Sequence, residues 1–352
     1  MLRLALFTDA YSANAGGGVL YFCGLAQAMR DFGDVNLQFE RDVTARELVD
    51  FCGFDLAGVS VGRQRRRRWF GIDQIRRERG YDVIVRQSTV IPRPTFCRRA
   101  ALVIYFPFQK EMSWRERQYL KSYSTVVAIS RFTAHWVARR WGRESTIIYP
   151  PILQVPGRKK EPWIVAVGRF NRGSRGKHQL EMVHGFRRLV NGGLDGWELH
   201  LCGGLDDQAY LDDVRAAASG LPVRIHVALP RQELDEVLGR ASIFWHATGI
   251  DHSEEANPEL MEHFGMSAAE AMSAGCVPVV VGRGGLTEVV GPDLLEWTWQ
   301  SWDECVAKTL ALTANPELRS ALAGKARRQA ASFAFPSFQE RVGAMVRDLG
   351  RG

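Results

Sequence analysis

Two glutamates eight positions apart, Glu262 and Glu270, bracket a short apolar turn in "NPELMEHFGMSAAEAMSAGCVPVV". Ser267 and Glu270 have the S-x-x-E spacing of a capping box, in which Glu270 would only satisfy backbone at a helix start. Against that, Glu262 and His263 stand just before Phe264-Gly265, where a carboxylate and backbone amides would both meet a ligand. Upstream, "WHATGIDHSEEANPE" adds His246, His252, Glu254 and Glu255 in a long polar loop that either closes over a ligand or is variable surface. In "VAVGRFNRGSRGKHQLEMVHGF", Arg169 follows an apolar run and Lys177 opens the next helical stretch. Two such cations joined by a Gly-rich loop suit a diphosphate, because arginine binds oxygens as a fork and lysine as a point charge. The competing reading is a solvated basic loop, and Arg172 and Arg175 in it look merely soluble. Near the N-terminus Gly16, Gly17 and Gly18 open a helix, so backbone N–H groups can approach an anion; a bare tight turn is the alternative.

These residues need elements to hold them. Short aliphatic runs ("LRLALF", "VNLQF", "DLAGVS", "DVIV", "ALVIYF", "TVVAIS", "STIIY") alternate with amphipathic stretches through the first half. Strands apolar on both faces alternating with helices indicate a parallel sheet between helical layers. "YPPILQVPGRKKEP", with four prolines and a basic cluster, breaks that rhythm. It reads as a linker. The pattern then restarts with "WIVAVG", a helix from about Lys177 to Asn191, "WELHLCG", "VRIHVAL", a helix from Gln232, "SIFWHA" and "VPVVV". The expectation is α/β throughout: a doubly wound Rossmann-like domain over residues 1–152, a linker over 153–162, a second such domain over 163–334, and a last helix over 335–352 that crosses back to the first. Ligands of such sheets sit at the strand C-terminal ends, here facing a cleft between the two domains.

A chain of 352 residues exceeds the ceiling for one hydrophobic core, in agreement with two domains. Its 46% hydrophobic and 24% charged residues exclude disordered and fibrous classes. Six scattered cysteines without a C-x-x-C pair read as reduced buried thiols and not as a metal site. No stretch approaches the roughly 20 apolar residues that span a bilayer, so a cytoplasmic protein, or one peripheral on the inner face of a membrane, is expected. The net charge of +7 is uneven: residues 1–150 carry 24 basic against 14 acidic residues, the remainder 22 against 25. Much of the excess lies in "GRQRRRRWFG", where Arg65, Arg66, Arg67 and Arg68 adjoin Trp69. Such a run suits an anionic membrane surface or a phosphate-bearing acceptor. Nucleic acid is a less favoured partner, and a soluble loop is the bland alternative.

Taken together, Gly16 to Gly18, "VGRF" with its following lysine and "EHFGMSAAEAMSAGCVPVV" resemble the family 4 (group 1) retaining glycosyltransferases of GT-B fold. The resemblance extends to "AISRFTAHWVARRWG…STIIYPPI" and covers most of the chain. The "EHFG" form is similar to the branch with lipid-linked oligosaccharide mannosyltransferases and bacterial polysaccharide enzymes. The resemblance implies that Glu270 binds the nucleotide ribose and that Glu262 touches the donor sugar. It further implies that backbone at Phe264, Gly265 and Met266 contacts sugar or phosphate, and that Arg169 and Lys177 neutralise the diphosphate, with Gly17 and Gly18 contributing from the first domain. No cofactor or metal is then expected; the partners are a nucleotide-sugar, GDP-mannose first and a UDP-sugar second, and a glycan or lipid-linked acceptor. Many members place a histidine after the strand corresponding to "ALVIYFPF", where this chain has Tyr105, Phe106 and Pro107. His135, in "RFTAHW", is expected to be a surface or packing residue and no replacement for it. A GT-B-shaped sugar-nucleotide epimerase and a non-enzymatic basic lipid- or nucleic-acid-binding protein are the alternatives.

Overall fold

The computed structural model describes residues 1–8, 16–64, 72–88, 93–173 and 176–351. The run Arg65 to Trp69 and Arg175 lie outside the described residues. The chain divides into two compact units, Met1–Pro151 with Phe333–Gly352, and Ile152–Ser332.

The first unit opens with β1 (Leu2–Thr8), α1 (Gly17–Met29), β2 (Gly33–Phe39), α2 (Ala45–Cys52), β3 (Ser60–Arg63) and α3 (Ile72–Glu78). It continues through β4 (Val83–Gln87), β5 (Ala100–Ile104), α4 (Trp114–Lys121), β6 (Thr125–Ala128), α5 (Arg131–Trp141) and β7 (Thr146–Ile147). Among the described residues its sheet has seven parallel strands in the order β3-β2-β1-β4-β5-β6-β7. Every residue of β4 and of β5 is buried, which is why β5 and the first three residues of β4 read as unbroken apolar runs and not as alternating patterns; Arg86 of β4 is buried with Glu78 as its partner. Helix starts are specified locally: Thr44 with Glu47 and Ser113 with Glu116 form reciprocal capping boxes at α2 and α4. Gly53 and Gly142, both left-handed, end α2 and α5.

The second unit runs β8 (Trp163–Val167), α6 (Gln179–Asn191), β9 (Glu198–Gly203), α7 (Gln208–Ala218), β10 (Val223–Val227) and α8 (Arg231–Arg240). Then come β11 (Ile243–His246), α9 (Met266–Ser273), β12 (Val277–Val280), α10 (Leu286–Val290), α11 (Trp302–Ala314) and α12 (Pro316–Ala331). Among the described residues its five strands are parallel in the order β10-β9-β8-β11-β12, with Ile164 level with Leu199 on one side and Ile243 on the other. The stretch expected to be a linker is tied to this unit, since Val155, Arg158 and Glu161 donate their backbone N–H groups to Ser273 Oγ, Gly239 O and Arg240 O. Pro316 starts α12 beside its Asn315 cap, where a missing N–H costs nothing.

Strand β8 is the first of its unit, and the chain builds outward from it in both directions. The gap between β8 and β11 is therefore a topological switch point, where loops diverge and leave a crevice at the strand C-terminal ends. In the first unit β1 and β4 stand in the same relation. The final helix, α13 (Phe335–Arg351), packs in the first unit: Phe338 meets Tyr21 of α1 edge-on at 5.4 Å. Gly24 makes this approach possible, because a Cβ there would lie 2.8 Å from Pro151 Cγ and 3.4 Å from the Phe338 ring.

Candidate functional site

The residues singled out in the second unit follow its strand ends. Arg169 comes two positions after β8 and His246 closes β11 ahead of the loop to Glu262; Arg231, which the sequence did not mark, opens α8 after β10. All these connections emerge at one edge of the sheet, and those after β8 and β11 flank its switch point.

Lys177 and Glu262, 85 positions apart, form an ion pair of 2.6 Å between Nζ and Oε2. His246 Nε2 lies 3.2 Å from the same oxygen but is not aligned for a hydrogen bond. Burial opposes ionisation of Glu262 and is the largest single influence on it. Lys177 and His246 together outweigh it and hold the carboxyl well below the usual carboxylate range. Burial pushes the His246 imidazole down from its ordinary value, against the pull of Glu262. Gly168 has a steric role: a Cβ there would lie 2.4 Å from Lys177 Cγ, so only glycine lets the lysine stem pass. Gln179 donates from Nε2 to the carbonyls of Gly168 and Arg169, at 2.9 and 3.2 Å, and fixes the turn that carries both cations. His178, at φ 59°, ends that turn in the left-handed region, which a non-glycine residue adopts only where its surroundings enforce it.

Arg169 is more exposed and pairs with Asp206 at 3.2 Å. Arg172 is paired with Asp213 and lies over the Tyr210 ring, which agrees with its reading as a soluble residue.

Glu270 is buried within α9, and its two oxygens each lie 3.1 Å from NH1 of Arg231. Burial raises its carboxyl above the usual range, against the opposing Arg231 charge. The capping-box reading fails here. The N-cap of α9 is Gly265, at φ 106°, and Ser267 sits one position past the first helical residue, too late to cap. Gly265 is the one residue that both tolerates this backbone and leaves room for Leu286, whose Cδ2 would lie 2.7 Å from an added Cβ. Phe264 is buried beneath the turn, and Met266 starts the helix with its backbone N–H free of intrahelical bonding.

Some of the site was not recognised in the sequence. Arg231 follows Pro230 and carries no motif. Gly284 and Gly285 press against the glutamate turn: Gly285 N–H donates to Glu262 O at 2.8 Å, and a Cβ on Gly285 would lie 2.3 Å from His263 O. The polar loop after β11 is anchored. Arg283 NH1 donates to the carbonyls of Gly249, Ile250 and His252, and Glu254 accepts from Gly284 N–H at 2.8 Å. In the first unit, Tyr105 donates its hydroxyl to Gly18 O at 3.0 Å, which places it against the glycine turn that opens α1. His135 is exposed on α5.

The family model for group 1 glycosyl transferases matches residues 152–329, half of the chain and nearly all of the second unit. The chain belongs to the group 1 glycosyltransferases. This glycosyltransferase is 24% identical over 294 residues to the human GDP-Man:Man(3)GlcNAc(2)-PP-Dol alpha-1,2-mannosyltransferase. That alignment covers 75% of this chain and 56% of the human protein, so the chain spans about half the length of this relative. A glycosyltransferase from Rickettsia africae has a similar structure, with a TM-score of 0.73 at 11% identity over 98% of each chain. HepE from Anabaena, solved in complex with UDP-glucose, gives 0.66 at 15% identity over 99% of this chain and 100% of that one. These likenesses show a GT-B fold of two Rossmann-like α/β domains. Among the described residues of this glycosyltransferase, no helix is long and apolar enough to cross a membrane.

Proposed function

We propose that the chain is a retaining, metal-independent hexosyltransferase of the family 4 branch. It moves a hexose-like sugar from a nucleotide-diphosphate donor to a glycan, glycolipid or other glycoconjugate acceptor. GDP-mannose is the first donor and a UDP-sugar the second, an order supported by the name of the human relative. The observation that carries this reading is the Lys177–Glu262 pair at the switch point of the second unit, with Arg169 on the same turn as the lysine.

In this reading a bound donor exchanges partners with the pair. The diphosphate takes Lys177 and Arg169, and hydroxyls of the sugar donate to the released Glu262 carboxylate. As the bond from the anomeric carbon to the β-phosphate oxygen breaks, charge develops on the diphosphate, and the two cations with the amides at the start of α9 stabilise it. The acceptor oxygen bonds the anomeric carbon on the same face and passes its proton to the leaving phosphate. Glu270 binds the ribose: an ionised carboxylate accepts about four hydrogen bonds, and Arg231 leaves room for a vicinal diol. Chain cations fill the role that a metal would serve, so EDTA leaves turnover unchanged. The first unit receives the acceptor, and the basic run Arg65 to Trp69 meets an anionic membrane surface on the cytoplasmic side.

Calorimetric titration with GDP-, UDP-, ADP- and dTDP-sugars tests the assignment. GDP-mannose binding tightest supports it, and no binding by any of the four overturns it.

A further inference from the structure

The edge of the first unit's sheet opposite the glycine turn carries two adjoining cavities. One, of 610 Å³, is lined by Arg79, Arg98 and Arg99 with the rings of Tyr81 and Phe96. The other, of 440 Å³, shares Arg98 and Arg99 and runs along Ile147 and the α13 residues Ala344, Met345 and Leu349. Asp82 and Arg99 immediately precede the starts of β4 and β5, and Thr125 begins β6, so both cavities lie at the N-terminal ends of these strands, with Ile147 of the short β7 beside the second. A five-residue strand separates them from the other edge by roughly 15 Å.

The charges there are unbalanced. Among the described residues, Arg79, Arg98 and Arg99 have no carboxylate partner, and Arg341, which lies over the Tyr149 ring, is the third guanidinium of the second cavity. Of the two aspartates in the linings, Asp82 is already engaged by Arg3, whose backbone N–H it accepts at 2.7 Å; Asp348 is the other. Guanidinium groups gathered in excess of their counter-charge repel one another, and a phosphate, which they grip as forks, relieves that repulsion. The second cavity differs, with an apolar wall continuous with the cationic one.

We propose that the two cavities form one site for a phosphate-bearing amphiphile, with its anionic head on Arg79, Arg98 and Arg99 and its hydrocarbon part along Ile147, Met345 and Leu349. A free phosphate uses only the first cavity, and a neutral alkyl chain only the second. Its lining shares no residue with the donor-binding set, so octyl phosphate binding is read independently of donor binding.

The full chain is titrated with octyl phosphate, inorganic phosphate and octanol. Octyl phosphate binds at least 30-fold tighter than either half-ligand. The double variant Arg98→Glu/Arg99→Glu weakens it at least tenfold, with the melting temperature and nucleotide-sugar affinity unchanged. If that variant fails to fold, Arg98→Gln/Arg99→Gln replaces it. Leu349→Asn weakens octyl phosphate and leaves inorganic phosphate unaffected. Sedimentation with phosphatidylglycerol but not phosphatidylcholine vesicles, lost in the arginine variant, identifies a bilayer lipid as the source; octyl phosphate binding without sedimentation identifies a free amphiphile. Equal affinity of the arginine variant and the natural protein overturns the site. So does inorganic phosphate or octanol binding as tightly as octyl phosphate.

Discussion

Lys177 meets its counter-charge, Glu262, within its own unit at 2.6 Å, so binding a diphosphate there is an exchange of partners and not the capture of a free cation. Replacing the lysine by an uncharged residue removes a donor from the developing charge, a change that typically costs 10²–10³ in turnover, about 3–4 kcal/mol. Lys177→Met is therefore expected to lower kcat/KM by about that factor, measured by release of nucleotide from donor. The two glutamates are shifted in opposite directions. Glu262 is held below its unfolded value, so its contribution to stability is complete above the ordinary carboxylate range and is lost as pH falls through the folded value. Between pH 5 and 3 the natural protein should lose more in melting temperature than Glu262→Gln does. Glu270 is raised, so it protonates first on acidification, and a protonated carboxyl accepts fewer hydrogen bonds from a diol. Nucleotide affinity should weaken on acidification before Glu262 protonates and while the fold persists, and Glu270→Gln should flatten that dependence. A steep profile in that variant would remove Glu270 from ribose binding.

Turns set the positions of these side chains, and three glycines do so by having no Cβ. Gly168 lets the Lys177 stem pass, Gly265 starts α9 at a positive φ under Leu286, and Gly285 packs on the glutamate turn. Gly265→Ala combines backbone strain with a steric clash, and is expected to cost roughly 1–3 kcal/mol, read from the urea midpoint. Gly168→Ala has a different signature: its clash is with the stem of Lys177, which must shift and carry its ammonium out of position, so kcat/KM falls more than stability does. Unchanged kcat/KM in that variant would mean that the lysine's path is immaterial. Much at this scale was legible in the sequence. β5 and β11 are short apolar runs because they are buried on both faces. The pairing of Glu270 with Arg231 was not legible, since 39 positions separate them and β10 must lie two strands from β8 before they meet. Ser267 misled because S-x-x-E spacing is informative only if the helix begins at the serine, and Gly265 starts it two residues earlier.

Across the whole chain, the α/β class with parallel sheets was readable from the alternation of strand and helix, whereas the GT-B class came with the resemblance carried by "EHFGMSAAEAMSAGCVPVV". The place where the proline-rich stretch of residues 149–162 belongs was not readable, because prolines mark a break in pattern without saying which core the flanking backbone bonds to; Val155, Arg158 and Glu161 bond to the second. Membership of the group 1 glycosyltransferases rests on the second unit. The proposed stereochemistry makes a prediction for the full reaction: product formed from an α-linked donor should be α-linked by proton NMR, and an inverted anomer would exclude same-face transfer. The central claim is that the second unit binds a nucleotide-sugar through Lys177 and Glu270. Calorimetry of GDP-mannose with the natural chain, Lys177→Met and Glu270→Ala tests it most directly. The account predicts binding by the natural chain and a loss of at least 30-fold in each variant with unchanged melting temperature; equal affinity in all three proteins would contradict it.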